Sequence, residues 1–197
     1  FTQNIHPNTK YLEPYIRANP LEYRELRTAM FAYEMDITRA VFEAASDLEQ
    51  ELVVKPHPGE EFSTNFTKEL AERHGFTYLP AGACNSRDLI LASSAAAASR
   101  SAVLNESCLL DRNTAAIVPS IGDSEKDQQM NDVSVFPAAS TGAIPIAYQW
   151  EEIKAVCSTI WSPERSIQDK LAQRRTLFSV DGKASQRLAD IIEELVL

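Results

Sequence analysis

Cysteine is scarce in this chain: Cys84, Cys108 and Cys157 are the three among 197 residues. An odd, sparse count without metal-ligand spacing suits reduced thiols in the cytosol better than a disulfide framework. Long apolar runs are lacking as well, and none approaches the ~20 residues that cross a bilayer. Positive charge is in deficit, with 19 Lys and Arg against 28 Asp and Glu for a formal net charge of −9. A general nucleic-acid binder needs Lys and Arg to neutralise phosphates, so that class is set aside. A small phosphorylated ligand is not, because its site needs only a few local donors. No acidic or His/Cys cluster has ligand spacing, and no metal is expected. No repeat or low-complexity linker divides the sequence, so 1–197 reads as a single domain, long enough to bury a core.

The order of elements comes from periodicity. Phe1 to Gln3 reads as the tail of a strand and not as a natural start, which suggests a fragment of a longer protein; Asn4, His6, Pro7 and Asn8 form a turn after it. From Leu21 to Leu48 the apolar residues Leu26, Met30, Tyr33, Ile37, Val41 and Ala44 recur at helical spacing. A short strand, Leu52 to Val54, stops at Lys55-Pro56-His57-Pro58-Gly59. A helix from Thr64 to His74 ends at Gly75, and Phe76 to Leu79 is the next strand. Asp88 to Ala92 reads as a compact buried strand that runs through Ser93-Ser94 into an alanine-rich helix, Ala95 to Leu104. Ala115 to Ile121 and Ile144 to Tyr148 are further strands, and the chain from Trp150 onward reads as mostly helical. Alternating helices and short continuous apolar strands predict an α/β fold, a doubly wound, Rossmann-like parallel sheet. Such sheets take ligands beyond the carboxyl ends of their strands.

Three constellations stand out. Pro56 and Pro58 fix the backbone around His57 and forbid a helix there. Lys55 and His57 are thereby delivered to one rim, where both can donate to a phosphate; a rigid turn with a structural histidine is the alternative. Ser93-Ser94, at the expected strand-to-helix turn, can cap that helix or share its amide-rich start with an anion; Ala95 is small enough to let a phosphate approach. Asp181-Gly182-Lys183-Ala184-Ser185 opens a last amphipathic helix, a packing element. Lesser candidates are His6 in the first loop, and Ser120 and Gly122 after a later strand. Glu151 and Glu152 suit a first helical turn through the dipole alone.

Taken together, "ELVVKPHPGE", "DLILASS" with its small-residue helix and "DGKASQRLADIIEEL" resemble the carboxy-terminal half of GT-B type glycosyltransferases. The histidine-proline and double-serine pair is similar to bacterial sialyltransferases and polysialyltransferases, capsule Kdo-transferases and CDP-glycerol glycerophosphotransferases. The closing helix is also similar to that of UDP-N-acetylglucosamine 2-epimerases. In the first group these motifs hold the phosphate and nucleotide of a CMP- or CDP-activated donor. The resemblance therefore implies that Lys55, His57, Ser93, Ser94 and Ala95 bind nucleotide phosphate, with His6, Ser120 and Gly122 nearby, and that His57 stabilises the departing phosphate. It departs at the glutamate that many relatives carry about one turn into the helix after the serines: Ala98-Ser99-Arg100 stands there, and the nearest acid is Glu106.

What the resemblance implies is glycosyl transfer from a nucleotide sugar to a glycan or lipid-linked acceptor in surface polysaccharide synthesis. The nucleotide sugar is a substrate, and no separate cofactor is expected. The base that activates the acceptor would come from an amino-terminal domain or a partner subunit, so this chain alone is expected to bind donor and transfer poorly. A cytoplasmic site follows, free or peripheral at the inner membrane face. The rivals are a UDP-sugar 2-epimerase or hydrolase on the same scaffold, and a non-catalytic nucleotide-binding subunit.

Overall fold

The computed structural model describes residues 20–56, 64–80, 82–122 and 137–162, together with 183, 185 and 186. Helix α1 (Pro20–Asp47) leads to strand β1 (Val53–Val54), and α2 (Thr64–His74) to β2 (Thr77–Tyr78). Then follow α3 (Ser86–Ala92), β3 (Ala95–Ala98), α4 (Val103–Leu109), β4 (Asn113–Ile117), α5 (Pro137–Ser140), β5 (Ile146–Ala147), a 3₁₀ turn (Trp150–Glu152) and α6 (Ile153–Trp161). Every described strand pair is parallel. β1 pairs with β2, Val53 opposite Thr77; β4 lies between β3 and β5, with Ala95 opposite Asn113 and Ala116 opposite Ile146. The fold is thus mixed α/β, as the alternation of elements predicts. The expected strand at Phe1–Gln3 and almost all of the last helix lie outside the described residues; Ser185 and Gln186 are helical and exposed.

The helix stops follow from backbone chemistry. At the end of α1, Gln50 N–H reaches Ala45 C=O at 2.9 Å and Glu49 N–H reaches Ser46 C=O at 3.1 Å, with Glu49 at φ +51°. α2 closes in the same way around Gly75 (φ +72°), and α4 around Asp111 (φ +55°). This paired closure satisfies the last carbonyls and turns the chain toward a strand. Glycine fills one of the three positions; Glu49 and Asp111 occupy the left-handed region with a Cβ.

Helices cover both faces of the three-stranded sheet. Tyr33, Ile37, Val41 and Ala44 of α1, at the spacing read from the sequence, pack with Ala115 and Ile117 of β4 and with Ile153, Cys157 and Ile160 of α6. The opposite face sets Ala98, Ala116 and Val118 against Leu104, Cys108, Ala138 and Ala139. Residues of odd and even number along β4 therefore enter different cores, as a strand buried on both sides requires. Phe42 turns to a third cluster with Val54, Leu70 and Ala71, so α1 bridges both sheets.

The segment 86–104 corrects the sequence-based expectation. Asp88–Ala92 is not a strand but part of α3, and the alanine run is not a helix but β3. Asn85 sets the helix start: its side chain accepts from Arg87 N–H at 2.9 Å, and Asp88 lies in the first turn. Arg112 closes the other end, donating to the carbonyls of Ile90 at 3.2 Å and Leu91 at 2.9 Å. Alanine is a strong helix former, yet Ala95–Ala98 pairs with β4 along its whole length.

Candidate functional site at the carboxyl rim

The amino ends of the two sheets lie side by side. α1 passes the ends of β3 and β4 at its midpoint, where Tyr33 OH donates to Pro119 C=O at 2.7 Å and Ser99 Oγ donates to Glu34 Oε2 at 3.5 Å. Its last residue, Asp47, has Oδ2 2.8 Å from Lys154 Nζ of α6, and the chain then leads into β1. Residues 49–53 and 93–97, the amino ends of β1 and β3, line one shared groove of about 450 Å³. The carboxyl ends of β1, β3, β4 and β5 consequently share the opposite side.

That rim carries Lys55 after β1, Ser99-Arg100-Ser101 after β3, Pro119 to Gly122 after β4 and Tyr148-Gln149 after β5. Lys55 is 4% exposed, and no described residue forms an ion pair or hydrogen bond with its ammonium. Ser99 and Ser101 are buried, and Ser101 Oγ accepts from Val103 N–H at 3.3 Å, at the start of α4. Ser120 is held by its neighbours: its N–H donates to Tyr148 C=O at 2.8 Å, its carbonyl accepts from Trp150 Nε1 at 3.0 Å, and its Oγ accepts from Gly122 N–H at 3.0 Å. Gly122 sits at φ +80°, a conformation that favours glycine. The pair therefore shapes a turn at the rim. Glu152 is committed to structure, since its carboxylate accepts from the N–H groups of Tyr148 and Gln149 at 2.9 and 3.0 Å in a capping box.

Ser93, Ser94 and Ala95 are not at this rim. They lie between the end of α3 and the start of β3, and they line the groove on the amino side. Ser93 Oγ donates back to Leu89 C=O at 2.8 Å, so this serine closes a helix instead of opening one. The amide-rich helix start expected behind Ser94 does not exist, because a strand follows. Lys55 follows β1 at its carboxyl end, whereas Ser93-Ser94 precede β3 at its amino end. His6 and His57 lie outside the described residues.

Sequence reasoning missed Ser99, Ser101 and the buried Glu34. Asn85-Ser86 before an acid was the available signal, because a cap there makes 86–92 helical and leaves 95–98 to the strand. Among the described residues no group of three or more His, Cys, Asp or Glu could hold a metal, and no helix is long and apolar enough to cross a membrane. Burial pushes the Cys157 thiol up to about 12, which removes it as a nucleophile near neutral pH.

The architecture defines a class, a mixed α/β domain with parallel strands; open sheets of that kind take ligands at the carboxyl rim. No family model, no curated protein and no solved structure matches the chain.

Proposed function

We propose that this chain is the donor-nucleotide-binding domain of a glycosyltransferase that uses a nucleotide-activated sugar, CMP- or CDP-linked, in cytoplasmic synthesis of surface polysaccharide. The observation that carries the reading is Lys55, a lysine with a buried stem at the carboxyl end of a parallel strand, whose ammonium is not among the fully buried polar atoms and bonds to no acceptor among the described residues. A cation whose stem is held at the rim is placed to donate to a phosphate, and parallel sheets bind ligands on this side.

The element order after β3 supports the same reading. Ser99-Arg100-Ser101 precedes α4, and Glu106 stands in the first turn of that helix. That order matches the serine motif and following glutamate of the families named above better than Ser93-Ser94 did. In this reading Lys55, joined by His57 through the resemblance, stabilises the charge that develops on the departing phosphate. Glu106 meets ribose hydroxyls, and Ser120 and Gly122 shape the turn beside the base. The acceptor and its activating base belong to an amino-terminal domain or partner subunit, and the chain by itself binds donor with little turnover.

Calorimetric titration with CMP, CDP, UDP and GDP, on wild type and His57→Ala, tests this. Cytidine nucleotides bind best, and the variant loses affinity. A preference for UDP moves the assignment to the epimerase-type reading; no binding to any of the four refutes it.

A further inference from the structure

The turns that follow β4 and β5 are bonded into one frame. Ser120 N–H donates to Tyr148 C=O at 2.8 Å, and Tyr148 N–H donates to Glu152 Oε2 at 2.9 Å. Gln149 N–H shares that carboxylate oxygen at 3.0 Å. Trp150 ties the two turns together, because its Nε1 donates to Ser120 C=O at 3.0 Å while its ring meets Tyr33 edge-on, with centroids 6.0 Å apart. Tyr33 in turn donates to Pro119 C=O at 2.7 Å. Both backbone groups of Tyr148 are therefore fixed, one by the neighbouring strand end and one by the capping box of the turn that follows.

The side chain of Tyr148 is in the opposite situation. It is 51% exposed, and its ring and hydroxyl enter no hydrogen bond, ion pair or ring contact among the described residues. Of the three large apolar side chains exposed among the described residues, Leu21 and Leu91 belong to helices, and Tyr148 alone stands at the carboxyl end of a parallel strand. Single exposed apolar residues are ordinary on a protein surface, so exposure by itself assigns nothing. Tyr148 differs by combination: a broad ring on a fixed backbone, on the side of the sheet where open α/β folds take ligands. Tyrosine also loses little conformational freedom on contact, since two χ angles place the whole ring.

We infer that the Tyr148 ring is the platform on which the base of a bound nucleotide stacks. The inference rests on the nucleotide reading proposed above and adds the residue that meets the base. β4 separates β3 from β5, so the ends of those two strands lie two strand spacings, roughly 10 Å, apart. A nucleotide laid along the rim with its phosphate toward Ser99 to Ser101 brings its base over the frame between β4 and β5. Ser120 and Gly122 then border the base, and Tyr148 covers one of its faces. Every base has such a face, so Tyr148 sets affinity and leaves the choice among bases to hydrogen bonds at the base edge.

The full chain is titrated calorimetrically with CMP as wild type, Tyr148→Ala and Tyr148→Phe. Tyr148→Ala weakens binding roughly 5- to 150-fold, the loss expected when one base gives up one aromatic partner. Tyr148→Phe, which keeps the ring, binds as wild type does. A second readout is specific to stacking: the cytosine ring protons of CMP move upfield in the ring current on binding to wild type and Tyr148→Phe, and lose that shift with Tyr148→Ala. CMP binding that survives Tyr148→Ala unweakened, or no upfield shift with wild type, overturns the inference and leaves the nucleotide reading standing. A wild-type chain that binds no CMP fails at the nucleotide reading itself, and the inference falls with it.

Discussion

Lys55→Met separates a ligand-binding lysine from a structural one, because loss of a ligand-binding lysine shows in affinity and loss of a structural one in stability. Lys55 is 4% exposed, its ammonium is not among the fully buried polar atoms, and it bonds to no acceptor among the described residues. Methionine keeps the unbranched stem and removes the charge. A swap of similar volume costs less than about 1.5 kcal/mol, and for a chain of this size each kcal/mol moves the unfolding midpoint by roughly 2–4 °C. The same change deletes a charge-assisted hydrogen bond to phosphate worth about 1.5–3 kcal/mol, equivalent to roughly a 10- to 150-fold loss of nucleotide affinity. Differential scanning calorimetry and isothermal titration on the same preparation read both numbers. A lower midpoint together with unchanged affinity would refute the reasoning and make Lys55 a packing residue.

Other outcomes follow from the same geometry. Glu49→Gly relieves a left-handed residue at the end of α1 and raises stability by about 0.5–1 kcal/mol in chemical unfolding, whereas Glu49→Ala changes it little. Asn85→Ala removes the cap of α3 and costs about 1 kcal/mol, with the loss of helix read by exchange at residues 86–92. In native protein a thiol reagent modifies Cys84 and spares Cys108 and Cys157; all three react after unfolding. Cys157, raised from 9.0 to about 12 by burial, keeps its proton in the folded state while the unfolded chain releases it. Its contribution to stability is full below pH ~9 and is lost as pH rises toward ~12, and Cys157→Ala flattens that slope.

The parts of the fold legible in the sequence were those where pattern and backbone chemistry agree. The stripe Tyr33, Ile37, Val41, Ala44 fixed the inner face of α1, and Gly75 marked the end of α2. The region 86–104 misled because its two signals compete. Leu89-Ile90-Leu91 is a short apolar run, which suits a buried strand or a helix turn equally. Ala95–Ala98 carries the strongest helix propensity, yet pairing with β4 decides its conformation. Tertiary context outweighed propensity here, and it moved the serines of interest from the amino end of β3 to its carboxyl end. Glu34 escaped notice for a related reason: a charged residue in a helix reads as exposed until a neighbouring strand end is seen to cover it.

The claim on which the account turns is that ligand meets the carboxyl rim. Amide shift mapping by NMR, with CMP titrated into uniformly labelled protein, tests it residue by residue. The account predicts shifts at Lys55, at Ser99 to Ser101 and at Ser120 to Gly122, with Ser93, Ser94 and the groove at Glu49–Val53 unmoved. Shifts concentrated at Ser93, Ser94 and that groove would place the ligand at the amino end of the strands and contradict it.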